Sequence, residues 1–335
     1  MKESRKVIQP LDIYSSYALK GFTPDPAETK EKDLTIIEIP VTSKEDKAKN
    51  RKLKNKGKEP IKVISTMSLQ LNVNGISCEY WILGAYDRRV HVALCSLYEE
   101  GRRDITINQI AKRMGYLNNA NKRVLENISK SLMRLMATIL RIENTAEAER
   151  YKGYPIIKIT EVLAPVKIIE IEKDELLNGK KYSKDYYLKG SYIEQYGGAK
   201  NFHFPANAII RFLDIPPLLN IAKNRSQITT HDLIVLQSTI PKTEYNLQVE
   251  EKLLYRIARG YQTLRVNLQN LLEEMVWFGQ KSYKSKYPIF ATVKKYLTYY
   301  QQVGYIKKFV FYNDRITGET IGVTIYKYYS RNRNH

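Results

Sequence analysis

The sequence predicts a helix-rich α+β protein made of two similar units that follow a basic N-terminal arm. Three observations indicate this: a helix followed by two β-rich runs occurs twice, basic residues are concentrated in particular segments, and no apolar stretch is long enough to span a bilayer. The 335 residues leave room for roughly two domains with proper cores. We expect a flexible arm over residues 1–60, a first domain over 61–175, a linker over 176–200 and a second domain over 201–335.

The charge balance points to a polyanionic partner. The chain carries 55 Lys and Arg against 35 Asp and Glu, a net charge of +20, with a pI near 9.6. Such a balance favours nucleic acid or an anionic membrane surface. The N-terminus lacks the apolar core of a signal peptide, so we expect a cytoplasmic protein with no membrane partner. Two cysteines and four scattered histidines offer no metal-ligand spacing, and we expect reduced cysteines and no metal.

The N-terminal arm has the composition of a disordered segment. Between Lys44 and Lys58, eight positive residues face only Glu45 and Asp46, a net charge of +6, and apolar residues are nearly absent. Such a run cannot bury a core, so we expect a flexible, protease-sensitive arm that either touches DNA backbone or acts as a solvated tether. A short strand over 34–41 interrupts it and could dock on the body.

The first unit begins near Ile61 and contains a helix-turn-helix pattern. A strand over 63–73 and a helix over 86–100 lead to Thr106, a good N-cap for a short helix that Gly115 ends. A polar turn then enters a longer helix that starts at Asn121.

The longer helix carries a polar stripe opposite its apolar arc. The stripe holds three cations and an amide at positions i, i+4, i+7 and i+11: Arg123, Asn127, Lys130 and Arg134. Arg and Asn can read guanine and adenine in the major groove, although an ordinary solvated face is the alternative interpretation. Strands over 138–142, 155–162 and 166–171 follow and supply a wing.

The region between the two units contains further expected elements. Gly197-Gly198 marks the softest point of the linker. We expect helices over 205–213, 230–240, 247–260 and 263–279, with their leucines and isoleucines in a core.

The second unit carries the stronger signal. Pro288 to Val303 reads as a helix that Gly304 ends, and β-rich runs over 305–312 and 320–328 flank a turn over 313–319. From Met275 to Asn313 there is no Asp or Glu but seven lysines, a segment that favours polyanions.

A helix followed by a hairpin in this order is the recognition helix and wing of a winged helix-turn-helix unit, so the sequence predicts binding to double-stranded DNA. A solvated helix with a hairpin packed on a core is the alternative. The residues expected to contact DNA are Arg123, Asn127, Lys130, Arg134, Thr292, Lys294, Lys295, Thr298, Tyr299, Gln302, Lys307, Lys308 and Arg315.

Signatures of catalysis are missing from the sequence. There is no phosphate-binding Gly-x-x-x-x-Gly-Lys-Ser/Thr loop, no His-x-His pair for a nicking metal site, and no sequence-level carboxylate cluster for a nuclease or polymerase. We therefore expect a non-enzymatic protein without a cofactor.

The order of these elements resembles that of theta-type plasmid replication initiators, the Rep and TrfA-like proteins. The resemblance rests on Val90–Leu97, the run INQIAKRMG at 107–115, the helix over 121–140, and VKKYLTYYQQVGYIKKFVFY at 293–312 with its hairpin. It covers about residues 61–330 as architecture, not as residue identity.

The resemblance implies binding to repeated sites in a plasmid origin, local opening of AT-rich DNA, recruitment of the host initiator and helicase, and repression of the protein's own gene. In that family the first unit commonly mediates homodimers, whereas the basic stripe on this chain's first long helix favours DNA contact. A winged-helix transcription regulator, a structural protein of conjugation or phage assembly, and a double-stranded RNA binder are the alternatives. A regulator usually joins one winged helix to an effector-sensing domain, whereas both halves here look DNA-facing.

Overall fold

The protein has an α+β fold in the computed structural model, as the sequence predicts. The structure describes residues 6–10, 35–41, 44–56, 58–60, 63–71, 83–117, 120–150, 157–171, 183–186, 208–273, 275 and 287–328. The helices are α1 (Lys44–Asn55), α2 (Ala85–Glu99), α3 (Ile107–Arg113), α4 (Lys122–Ala137), α5 (Thr145–Arg150), α6 (Pro217–Asn224), α7 (Glu244–Arg259), α8 (Leu268–Glu273) and α9 (Tyr287–Gln302). The strands are β1 (Lys6–Pro10), β2 (Thr35–Val41), β3 (Val63–Leu71), β4 (Asp104–Ile105), β5 (Thr138–Glu143), β6 (Lys158–Val162), β7 (Val166–Ile171), β8 (Ser183–Tyr186), β9 (Ile209–Phe212), β10 (Ile228–Asp232), β11 (Thr263–Asn267), β12 (Lys308–Asn313) and β13 (Thr320–Tyr326).

The second unit has the element order of a winged helix-turn-helix. Its elements run α7, β11, α8, α9, β12, β13, and its three-stranded sheet has the order β11-β13-β12. The strand that precedes the helix pair therefore pairs with the second strand of the hairpin, as in winged helices. On α9 the predicted packing face is buried, namely Ile289, Val293, Tyr296, Leu297 and Tyr300.

The first unit repeats that order but embeds its hairpin in a larger sheet. Its elements run α2, β4, α3, α4, β5, and its hairpin is closed by β6. The predicted N-cap is present, because the Gln109 amide donates to Thr106 Oγ1 at 3.4 Å and the Thr106 amide donates to Gln109 Oε1 at 2.9 Å. Strands β5 and β6 belong to a four-stranded sheet of order β2-β3-β5-β6, whereas the hairpin of the second unit belongs to a three-stranded sheet. The predicted wing strand over 166–171 lies elsewhere, in a sheet of order β4-β9-β7-β8.

The first hydrophobic core extends beyond the residues expected to form the first domain. Its buried side chains run from Leu83 to Ile221, and they include Ile210 and Phe212 of β9. Within the expected linker, β8 pairs with β7, while Gly197-Gly198 lies outside the described residues. The segment after position 200 thus contributes to the first core before the chain enters the second unit.

The described part of residues 1–60 forms two strands and a helix, whereas the sequence predicts a flexible arm interrupted by one short strand. Strand β1 pairs with β10, and Val7 is buried in the second core. Strand β2, predicted over 34–41, pairs with β3. The basic run forms α1, because Lys, Arg, Leu and Ala are good helix formers and because buried Asp46 pairs with Arg150 at 3.2 Å. Composition alone does not reveal this anchoring contact with a residue about a hundred positions away.

Three predicted helices are wholly or partly strands, each because a distant strand pairs with it. Within 205–213, β9 pairs with β4 and β7. Within 230–240, β10 pairs with β1 and is followed by a 3₁₀ turn, Leu233–Leu236. Within 263–279, β11 pairs with β13 and only α8 is helical. The predicted helix over 247–260 is confirmed as α7.

Helix α2 is shared by the two hydrophobic cores. Val90 and Leu94 lie in the first core, whereas Val92 lies in the second. Because residues two apart on a helix point in different directions, α2 is buried on nearly all sides. It therefore joins the two units directly.

Gly115, just after the end of α3, packs closely against Leu236, and substituting it tests this contact. Its φ is +92°, and a Cβ there would lie 2.2 Å from the Leu236 carbonyl oxygen. We expect Gly115→Ala to lower the free energy of unfolding through left-handed backbone strain of about 1–2 kcal/mol and a further 1–3 kcal/mol or so of steric overlap. Gly101→Ala is the matched control, because its φ is +78° with nothing within 4 Å. If urea unfolding shows the same loss of unfolding free energy for both variants, the close contact between Gly115 and Leu236 is contradicted.

Candidate nucleic-acid interface

The outward face of α9 is an accessible polar surface of the second unit. Lys294, Lys295, Thr298 and Gln302 are exposed, while Thr292 is half-buried. Tyr299 is also half-buried, and its hydroxyl donates to the Ile234 carbonyl at 2.5 Å. Burial raises the pKa of this hydroxyl, so it stays a neutral donor. Five of the six predicted α9 residues thus remain available, and Tyr299 fixes the position of the face.

The hairpin β12–β13 extends beyond α9 as a wing with cations at its base and tip. Lys307 and Lys308 are exposed at the base, and the Lys308 ammonium lies 4.8 Å from the Tyr326 ring centroid. At the tip, Asp314 Oδ1 accepts from the amides of Ile316 and Thr317 at 2.8 and 2.9 Å. This Asx-type turn holds Arg315 exposed, next to an Ile316 side chain that is 94% exposed.

An open groove of about 650 Å³ runs along α9. One wall is α9 itself, with Phe290, Lys294 and Thr298, and the other wall is the segment 238–241. The groove therefore combines two lysines, hydroxyl groups and an aromatic edge on one concave surface.

The polar stripe of the first unit is divided between surface and core. Arg123 and Asn127, near the N-terminus of α4, are exposed, and Lys130 is half-buried. Arg134 is 27% exposed and forms an ion pair with buried Asp87, at 2.5 Å from Nη2 to Oδ1. Its Nε also donates to Asp87 Oδ2, at 3.0 Å.

The role of Arg134 is therefore structural in this geometry. Asp87 Oδ2 also accepts from the Gly84 amide at 3.0 Å, so this aspartate caps α2 while it holds Arg134. A guanidinium that neutralises a buried carboxylate is not free to read a base. We restrict the candidate DNA-contacting stripe to the N-terminal half of α4.

One short segment separates the two candidate reading helices. On one side, its Leu236 carbonyl packs on Gly115 in the turn between α3 and α4. The Lys242 ammonium donates to that same carbonyl at 2.9 Å and lies 5.5 Å from the Tyr116 ring centroid. On the other side, the segment accepts the Tyr299 hydrogen bond from α9. The turn that leads into α4 and the outward face of α9 thus contact the same segment, 234–242.

Buried charges fix the relative orientation of the units. Arg88 pairs with Glu251 at 2.9 Å, and Arg89 pairs with the fully buried Glu250. From α7, Glu244 Oε1 accepts from the Ala85 amide at 2.5 Å and caps the N-terminus of α2. Burial raises the pKa of Glu250, although the positive charge of Arg89 acts in the opposite direction and lowers it.

These junction residues were missed by sequence reasoning, because charged residues in amphipathic helices are ordinarily assigned to the solvated face. Gly115 was identified only as a helix stop. The position of Glu244 one residue after the N-cap Thr243 gave a local reason for an acid there, namely the α7 dipole. No local pattern indicates that its carboxylate caps a different helix.

Two kinds of feature are absent from the described residues. Within the described ranges, no cluster of three or more His, Cys, Asp or Glu side chains could hold a metal ion. In the same ranges, no helix has the length and hydropathy to cross a bilayer.

Comparison with known proteins gives structural likeness only. No protein-family model and no curated protein sequence matches the chain. Domains 2–3 of RctB superpose with a TM-score of 0.46 at 10% identity, over 92% of this chain and 95% of theirs. The Pi initiator protein in complex with iteron DNA gives a TM-score of 0.38 at 13% identity, over 73% of this chain and 91% of that one.

The assignment of Arg134 to the fold leads to a stability prediction. Arg134→Ala leaves Asp87 buried without its cation, so we expect a loss of about 2–3 kcal/mol in the free energy of unfolding. Arg123→Ala removes an exposed guanidinium from the same helix and should change stability by less than about 0.5 kcal/mol. Urea denaturation of both variants provides the measurement, and an Arg134→Ala protein as stable as Arg123→Ala would return Arg134 to the DNA-contacting set.

Proposed function

We propose that this protein binds double-stranded DNA sequence-specifically and acts as a replication initiator at a plasmid-type origin. The observation that carries the proposal is the second unit: a winged-helix topology whose α9 buries its apolar face and exposes lysines and amides without a neighbouring acid from 287 to 313. An α-helix fits the major groove, and a wing beside it reaches the adjacent backbone or minor groove.

Roles follow from position on this surface. Lys294, Lys295, Lys307 and Lys308 are suited to phosphate contacts, because their ammonium groups are exposed around the reading face. Thr298 and Gln302 lie on that face and can hydrogen-bond base edges, since Gln can bind adenine bidentately. Arg315 at the wing tip is suited to the neighbouring groove.

The first unit supplies a second reader through Arg123 and Asn127. Segment 234–242 contacts both the turn before α4 and the face of α9, so the two readers have a fixed spacing. We infer a bipartite site on neighbouring turns of the duplex, roughly 10 base pairs apart, and a footprint longer than one turn.

Two DNA-facing units in one chain support an initiator over a regulator, and the resemblance to theta-type initiators adds origin opening and recruitment of the host initiator and helicase to the proposal. The test is permanganate reactivity of supercoiled DNA that carries the bound site beside an AT-rich segment. Binding that produces reactive thymines supports the initiator, whereas binding without opening identifies a regulator.

One observation favours the regulator as the second candidate. A cavity of about 460 Å³ lies at the C-terminal ends of α7 and α9, and Asp232, Tyr305 and Lys327 contribute polar groups to its lining. A cavity of this size at the end of a reading helix could hold an effector. An effector-dependent change in DNA affinity, abolished when the cavity is filled by Ala258→Trp, would support this function.

The division of roles is testable by substitution. We expect Lys294→Ala to weaken binding to all duplexes alike and to lower the salt slope of log K by about 1, because it removes one phosphate contact. Arg123→Ala and Asn127→Ala should each cost about 1–3 kcal/mol on the selected site and far less on random DNA.

Duplexes selected from a random 30-base-pair pool by the wild-type protein provide the probe for these titrations. If Arg123→Ala and Asn127→Ala bind the selected duplex normally while α9 variants do not, the first unit is a dimerisation module and the second alone reads DNA.

The protein is proposed to act without strand cleavage or ATP hydrolysis. We expect the purified chain with Mg²⁺ to leave supercoiled plasmid intact in a gel assay, because its sequence lacks both the His-x-His pair and the phosphate-binding loop. Accumulation of nicked circles that increases with protein concentration would contradict this expectation.

A further inference from the structure

Helix α1 presents a dense set of cations that no other described residue neutralises. Five exposed side chains on this helix make no hydrogen bond or ion pair with any other described residue: Lys47, Lys49, Arg51, Lys52 and Lys54. Five like charges within eight residues repel one another, and a polyanion would relieve that repulsion. The proposed DNA-contacting residues of α4 and α9 do not include this surface.

The helix is held to the body by one side. Asp46, Asn50 and Leu53 fall within about 60° of one another at about 100° per residue, and they are the less exposed positions of the helix. Asp46 is buried and accepts from Arg150 Nη2 on α5 at 3.2 Å. All five exposed cations lie outside this anchoring arc.

The element that holds α1 is itself fastened to the core. On α5, the buried Glu147 accepts from Arg225 Nη1 and Nη2 at 3.1 and 2.7 Å. Arg225 is the C-cap residue of α6, whose Leu218 and Ile221 side chains belong to the first core. An ion pair that is 3% and 1% exposed at its two side chains is costly to break, so α5 forms a rigid base for α1.

The strand register places this basic helix at the tip of the first unit's hairpin. Strand β2 ends where Val41 faces Val63, and α1 connects those two positions. At the same end of the sheet, Thr66 faces Glu143 and Glu143 faces Lys158, where the hairpin β5–β6 turns. The tip of the hairpin that follows α4 thus carries α1 and α5.

We propose that α1 is a phosphate-binding helix that lies along the backbone of the duplex next to the segment contacted by α4. This rests on the proposed function, since it assumes that α4 faces duplex DNA. Wings of winged helices contact the DNA beside the recognition helix, and here the corresponding hairpin tip bears a helix with five cations that lack a partner among the described residues. Phosphate contacts of this kind add affinity without reading sequence.

The main test removes charge while it preserves helix propensity. The variant Lys47→Gln/Arg51→Gln/Lys54→Gln neutralises one stripe of the helix, and its matched control Lys47→Arg/Arg51→Lys/Lys54→Arg keeps the charge. The probe is the selected duplex extended by about 20 base pairs of arbitrary sequence on each side.

For the Gln variant we expect about tenfold weaker binding to the extended duplex at 0.1 M salt and a salt slope reduced by up to about 3. Hydroxyl-radical protection should disappear on one flank only, and preference for the selected core should persist. The control should behave as wild type. Wild-type affinity and full flank protection for the Gln variant would overturn the inference while leaving the proposed function intact, and a wild-type chain that selects no duplex would overturn both.

A second variant separates a mounted helix from a loose basic tether. Asp46→Asn raises the net charge by one but removes the ion pair with Arg150. A tether would bind DNA as tightly as wild type or more so, because only its charge matters. A helix held in place by Arg150 should lose its protection of the DNA flank despite the added charge. Unchanged or stronger protection of the flank would show that the contact between α1 and α5 does not position the helix on DNA.

Discussion

The contact between α2 and α7 is the constraint on which the rest of this structure depends. Two hydrophobic cores meet at α2, and the buried pairs Arg88–Glu251 and Arg89–Glu250 fix its rotation and translation against α7. Burying such charges costs desolvation free energy that an apolar contact would avoid. What they add is directionality, because a carboxylate and a guanidinium satisfy each other in few orientations. We infer that the junction trades some stability for a defined orientation.

That orientation passes to the candidate reading surfaces through short connections. The Leu236 carbonyl meets Gly115 before α4, and the Ile234 carbonyl accepts the Tyr299 hydrogen bond on α9. Both carbonyls belong to one 3₁₀ turn, Leu233–Leu236. This short connection leaves α4 little freedom to move relative to α9. Unlike units joined by a flexible linker, these would present their helices to a duplex at one preset separation.

The sequence was informative where local signals decide structure. Thr106, Asn121 and Gly304 mark helix ends by capping chemistry, and the helical spacing of apolar residues on α9 gives its buried face.

The sequence was uninformative where strands pair with distant parts of the chain. Strands β9, β10 and β11 were assigned wholly or partly to helices because segments of four or five residues are too short to distinguish the two periods, and only their distant partners decide between them. The position of Lys44–Asn55 on the body likewise involves a contact with Arg150, about a hundred residues further on. For the candidate DNA-contacting surface, the sequence indicated exposed lysines but could not show that Arg134 forms an ion pair with Asp87.

The pairing of β1 with β10 has a consequence for biosynthesis. Gln9 Oε1 lies 3.1 Å from His231 Nε2, a contact between residues 222 positions apart. During translation, β1 therefore lacks its native partner strand until the ribosome has added the 222 residues that separate Gln9 from His231. Exposed strand edges of this kind invite pairing with other chains, so this step is a point at which a chaperone or a slower elongation rate would have its largest effect on yield.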